Sequence, residues 1–129
     1  MLLLQLGLGR TDTIATPRLV TALDGCVLTA VACGAAHTCA ASVEGKVFAW
    51  GEGSKGQLGT GSTNWALKPL PVAGLENERV LQLACGHSHS AALTAGGRLF
   101  TWGDGDNGQV RSLDACTAGF CFQLRAHLA

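Results

Sequence analysis

The sequence has no run of lysine or arginine, and its nine basic and nine acidic residues cancel to a formal charge of zero. Binding driven by phosphate neutralisation therefore has no electrostatic footprint, and no nucleic-acid partner is expected. No stretch approaches the roughly 20 apolar residues that a membrane helix needs, so no membrane partner is expected. The six cysteines, Cys26, Cys33, Cys39, Cys85, Cys116 and Cys121, include no C-x-x-C pair. That removes the basic signature of zinc knuckles and thioredoxin-like centres. The opening "MLLLQLGLGR" lacks the basic region of a secretory leader, and Gln5 breaks its apolar run. The thiols are accordingly read as reduced, in an intracellular protein of the cytoplasm or nucleus. Charged residues make up 14% against 47% hydrophobic, which excludes the disordered class.

What the sequence has in excess is glycine, at 18 of 129 residues, and this favours a turn-rich all-β architecture. The glycines recur in a fixed register. Displaced by about 52 residues, the sequence matches itself without a gap. Gln5-Leu6-Gly7 falls on Gln57-Leu58-Gly59, Pro17 on Pro69, and Ala32-Cys33-Gly34 on Ala84-Cys85-Gly86. His37 falls on His89, Trp50-Gly51 on Trp102-Gly103, and Gly53 and Gly56 on Gly105 and Gly108. The N-terminal "LQLGLG" is thereby read as the tail of a repeat rather than a targeting segment. The repeats are placed at about 5–56 and 57–110, within a region 1–110, followed by a divergent tail at 111–129 that is read as a weak helix or disordered.

Within a repeat the pattern is one of short strands. Val27 to Ala32 and His37 to Val43 are two of them, Glu44-Gly45 is a tight turn, and Lys46 to Trp50 is a third. Pro69 to Val72 reads as an edge strand, where proline is tolerated. The third strand is apolar on both faces, with Val47 and Ala49 on one and Phe48 and Trp50 on the other. A sheet wetted on one side would alternate apolar and polar residues, whereas a sheet packed between two others would not. Blades of a propeller are packed in this way. On this reading Trp50 supplies bulk between blades, and the glycines that follow it let the chain reverse beside that bulk.

The stretches "VACGAAHTCAASVEGKVFAWGEGSKGQLGTG" and "LACGHSHSAALTAGGRLFTWGDGDNGQV" resemble the repeat of the regulator-of-chromosome-condensation family over roughly residues 5–110. That repeat has the form V-x-C/A-G-x-x-H-[ST], then a hairpin, then G-x-[VL]-[YF]-x-W-G-x-[GN]-x-x-G-Q-L-G. The resemblance implies an all-β fold, a partial propeller of about two blades of antiparallel strands in an incomplete ring. Seven such repeats need roughly 360 residues, so the chain is expected to be a fragment of a larger propeller protein. Two blades alone leave apolar faces open, and self-association or low stability is expected of the isolated chain.

The structural repeat positions are Cys33, Gly34, His37, Trp50, Gly51 and Gly56, with Cys85, Gly86, His89, Trp102, Gly103 and Gly108. Cys85, His87 and His89 alternate along what reads as one strand and offer three metal ligands on one face. Cys85 and His89 are nevertheless repeat positions, read as a buried thiol and a hydrogen-bonded structural histidine, so no metal site is assigned. "DGDNG" lacks the distal glutamate of a calcium loop, "GEGSKGQLG" lacks the ending of a phosphate loop, and Ser88 sits in no nucleophile elbow. No catalytic residue and no cofactor is expected. Trp65, in the connection "STNWALKP", and the turn residues Glu52, Lys55, Asp104 and Asp106 are candidates for partner binding, as is His87. The resulting expectation is a protein-interaction module, with guanine nucleotide exchange on a small GTPase as the alternative that the resemblance implies. Light-sensing members of the family carry a tryptophan after the glycine of G-x-x-H; Ala35 and His87 stand there instead, which argues against that role.

Overall fold

The computed structural model describes residues 6–105. Among the described residues seven strands form two antiparallel sheets. The first is β1 (Leu28–Cys33), β2 (His37–Ser42), β3 (Val47–Gly51) and β4 (Ala66–Pro71), in that order; the second is β5 (Val80–Cys85), β6 (His89–Thr94) and β7 (Leu99–Gly103). A 3-10 turn, Thr21–Leu23, precedes β1. The tail beyond residue 110 lies outside the described residues, as do Asp106 and Gly108.

The two sheets repeat one another down to their irregularities. The register slips between Leu28 and Ala30 in the β1–β2 pair and between Val80 and Gln82 in the β5–β6 pair, at the same place in each repeat. Pairing then runs His37↔Gly51 to Ala41↔Val47 in one sheet and His89↔Gly103 to Leu93↔Leu99 in the other. Both hairpins turn on a glycine at positive φ, Gly45 at 88° and Gly97 at 79°. Both are also stapled by a hydroxyl. Ser42 Oγ accepts from the Lys46 N–H at 3.2 Å, and Thr94 Oγ1 accepts from the Arg98 N–H at 3.1 Å. Ser42 and Thr94 thus supply half of a turn that the sequence pattern credits to glycine alone.

Strand β2 is buried along its whole length, and β3 is buried except for the half-buried Phe48. This is the two-sided burial that the apolar pattern implies. Small residues permit it, since Cys39, Ala40, Ala41 and Ala49 let neighbouring elements approach the sheet closely. Leu23, Val47, Trp50, Leu58, Val72, Leu75 and Val80 join residues of both repeats into one hydrophobic cluster. Each such aliphatic side chain contributes about 1.5–3 kcal/mol by leaving water.

The edge strand lies further toward the N-terminus than the Pro69–Val72 reading, at Ala66–Pro71. Pairing of Gly51 with Ala66 extends it, after a slip between Ala49 and Gly51. The four-stranded sheet therefore takes its outer strand from beyond Gly56, since a sequence period fixes the length of a repeat but not where a sheet begins.

Equivalent positions differ in burial. His37 and Trp50 are buried, whereas His89 and Trp102 are half-buried, as is the whole of β7. The first sheet is covered by the second. Among the described residues no further sheet covers the far side of the second one.

Candidate functional site

The glycine–tryptophan device joins the opening turn of each repeat to the third strand of the hairpin sheet that follows it. A Cβ on Gly7 would lie 2.8 Å from Trp50 Nε1, and a Cβ on Gly59 would lie 2.8 Å from Trp102 Nε1. Each indole is therefore seated on the glycine of the turn that precedes its sheet. Trp102 also donates its Nε1–H to the Gln57 carbonyl at 2.9 Å. The glycines after each tryptophan have a different task from the one read in the sequence. Gly51 (φ +106°) and Gly103 (φ +112°) would press a Cβ to 2.4 Å from the Ala36 carbonyl and 2.5 Å from the Ser88 carbonyl, not against the indole. They admit the loop before β2 or β6, whose carbonyl takes the next backbone N–H, Glu52 to Ala36 at 2.8 Å and Asp104 to Ser88 at 2.9 Å.

The G-x-x-H spacing also has a local cause. The imidazoles of His37 and His89 fold back over Gly34 and Gly86, where a Cβ would come within 2.2 and 2.0 Å of the ring. This corrects the reading of Cys85, His87 and His89 as alternate positions on one strand. Strand β5 ends at Cys85 and β6 begins at His89, with Gly86 to Ser88 forming the bend between them. Cys33 and Cys85 are not the buried thiols that the repeat implies; Cys33 is exposed and Cys85 half-buried, because β1 and β5 lie at the edges of their sheets.

A polar cluster that the sequence did not reveal lies between the sheets. Ser90 Oγ is 2.9 Å from His37 Nε2 and donates to the Gln57 carbonyl at 2.9 Å. Cys39 Sγ lies 3.7 Å and Cys85 Sγ 3.8 Å from the same oxygen. One donor atom each from His37, Cys39 and Cys85 falls within 4.8 Å of the others. The hydrogen bond from Cys39, then the contact with His37, draws Cys85 well below the usual thiol value against its burial. The same bond and burial push Cys39 well above it. Cys39 was the available signal, since it interrupts the repeat where Ala91 stands in the second copy.

The candidate partner-binding residues gather elsewhere, at one end of the two sheets. The β1–β2 loop, the β3–β4 connection, the β5–β6 bend and the residues after β7 all emerge there. The loops of the two sheets are joined by the Ala35 N–H donating to the His87 carbonyl at 3.3 Å. Lys55 and His87 are exposed, Trp65 is 43% exposed, and Glu52 and Asp104 are half-buried. Glu52 accepts from Ser54 Oγ at 2.8 Å, and His87 Nδ1 is 2.9 Å from Ser88 Oγ. At this rim Glu52, Lys55 and His87 stand where the other repeat has Asp104, Asn107 and Ala35.

Comparison with known proteins places this architecture. Two family models described as the regulator of chromosome condensation (RCC1) repeat match the chain, one at residues 4–41 and 44–93, the other at 28–57 and 80–109. The chain belongs to the RCC1 repeat family. It is 45% identical over 116 residues to mouse E3 ubiquitin-protein ligase HERC2, covering 88% of this chain and 2% of that protein. It is 42% identical over 107 residues to the Arabidopsis thaliana ultraviolet-B receptor UVR8, covering 82% of this chain and 24% of that protein. Prp20p from Saccharomyces cerevisiae, whose structure is described together with its binding to Gsp1p and histones, superposes with a TM-score of 0.68 at 30% identity. That match covers 78% of this chain and 26% of Prp20p. The chain thus spans a small part of these relatives, and its two sheets are RCC1-type blades of a partial propeller.

Proposed function

We propose that the chain acts as a protein-interaction module, with the rim bearing Glu52, Lys55, Trp65, His87 and Asp104 as its contact surface. The carrying observation is the grouping of an exposed aromatic with charged turn residues. The half-exposed Trp65 lies at the end of the sheets where the turn residues Glu52, Lys55, His87 and Asp104 also emerge. An amphipathic ring of that kind is a common anchor at interfaces. The role is non-catalytic and intracellular, in keeping with free thiols at Cys26, Cys33, Cys39 and Cys85. Among the described residues no helix is long and apolar enough to cross a membrane. A photo-crosslinking residue at Trp65 should capture a protein in cells, and one at Val43, at the opposite end of the sheets, should not. Equal capture from both ends would refute the assignment of the rim.

A second reading, exchange on a small GTPase by a propeller containing these blades, is favoured by the likeness to Prp20p and its binding to Gsp1p. Release of labelled guanine nucleotide from a panel of small GTPases tests it. Acceleration that is lost in the Trp65→Ala, Lys55→Glu double variant supports this reading, and no acceleration leaves only the interaction role.

A further inference from the structure

We propose that His37, Cys39, Cys85 and Ser90 form a buried zinc-type site that ties the two blades together. The two sulfur–oxygen edges of the cluster match a coordination tetrahedron, and the His37 Nε2–Ser90 Oγ edge of 2.9 Å would open to about 3.4 Å on binding. Zinc bonds of about 2.3 Å to sulfur and about 2.1 Å to oxygen place sulfur and oxygen ligands about 3.6 Å apart at the tetrahedral angle. The two sulfur–oxygen edges measure 3.7 and 3.8 Å. The imidazole nitrogen, 2.9 Å from Ser90 Oγ, closes the figure, and the His37, Cys39 and Cys85 donors already lie within 4.8 Å of one another.

The donor chemistry selects the ion. Two thiols and an imidazole suit zinc, whereas calcium and magnesium require oxygen cages that the cluster does not offer. Two thiolates neutralise a divalent ion, so the site can fill between buried sheets without leaving a net charge. Binding displaces the two thiol protons to solvent and shifts the imidazole proton to Nδ1, freeing the Nε2 lone pair. Ser90 can keep donating to the Gln57 carbonyl while a lone pair of its oxygen faces the ion. Cys85 lines a groove of about 540 Å³ between β1 and β5.

Placement gives the site a consequence. His37 and Cys39 come from β2, Cys85 from β5 and Ser90 from β6, so the ion would clamp one sheet to the next. The site is also particular to this pair of blades, because Ala91 stands at the position equivalent to Cys39.

Cobalt(II) titrated anaerobically into the reduced full chain tests the proposal. One equivalent should bind with thiolate-to-metal charge transfer and ligand-field bands of tetrahedral intensity, and zinc should displace it. Cys39→Ala reproduces the residue of the second repeat and should fold, as circular dichroism would verify. It should halve the charge-transfer intensity and weaken binding by about tenfold or more. Ser90→Ala should keep the charge transfer and move the ligand-field bands. Cys26→Ser, Cys33→Ser and a Cys116→Ser, Cys121→Ser double variant should leave the titration unchanged. Absence of bound cobalt, a spectrum of octahedral intensity, or a titration unaffected by Cys39→Ala would overturn the site.

Discussion

Replacing Gly59 by alanine probes the seat of Trp102 directly. Gly59 has φ +68°, and its missing Cβ would stand 2.8 Å from Trp102 Nε1 and 2.9 Å from Val72 Cγ1. Two penalties add. A non-glycine residue held in the left-handed region costs roughly 1–2 kcal/mol, and forcing a methyl into a packed contact costs about 1–3 kcal/mol. The sum, about 2–5 kcal/mol, is a large share of the roughly 5–15 kcal/mol that holds a typical domain folded. Gly61 is the control. It has φ +89° but no atom within 4 Å of its Cβ position, so Gly61→Ala bears only the first penalty. Urea unfolding followed by tryptophan fluorescence measures both, each kcal/mol moving the midpoint by about 0.3–1 M. Gly59→Ala should be the more destabilising by about 1–3 kcal/mol. In a Trp102→Ala background its penalty should fall toward that of Gly61→Ala, because the flexible end of Val72 can turn away. Equal effects of the two alanines, or a Gly59 penalty unchanged by removing the indole, would refute the seating argument.

Other consequences follow from the same packing. Trp102→Phe keeps an aromatic ring but loses the bond from Nε1 to the Gln57 carbonyl, and calorimetry should show a loss of about 0.5–1.5 kcal/mol. Light scattering should find the isolated chain self-associating through its open apolar surfaces; Val31→Lys, at a side chain 67% exposed on β1, should shift it toward monomer. Trp65→Ala should weaken capture of a partner while leaving the unfolding midpoint within about 0.5 kcal/mol of the parent chain, as suits a half-exposed residue. Glu76 accepts from the Gly74 N–H at 3.1 Å, and backbone hydrogen bonds lower its pKa. A carboxyl lowered on folding stabilises the fold above its unfolded value of 4.5, and that contribution fades as pH falls through the folded value. Glu76→Gln should therefore flatten the acid limb of the stability profile.

The repeat period made much of the fold legible. A gap-free match of glycine, histidine and tryptophan fixed the blade as the unit, and residues apolar on both faces of β3 announced a sheet packed on two sides. Contacts between blades were not legible, because they join positions that no single repeat contains. The meeting of His37 and Cys39 with Cys85 and Ser90 is of this kind, and the Trp50–Gly7 and Trp102–Gly59 seats, though each lies within one repeat, join positions 43 residues apart. Sequence spacing grouped Cys85 with His87 and His89 instead, by assuming that a strand continues where Gly86 to Ser88 bends. The partner rim was partly legible, since residues that escape the repeat are free to serve something other than packing. That Glu52, Lys55, Trp65, His87 and Asp104 share one end of the sheets required the strand directions.

The most direct test of blade-on-blade packing is a nuclear Overhauser measurement from the Trp102 indole Nε1–H. A strong cross-peak to the Gly59 Hα protons would match the close approach that both tryptophans make to the glycine of the turn ahead of their sheet. A folded chain in which that indole proton sees only protons of its own sheet would contradict it.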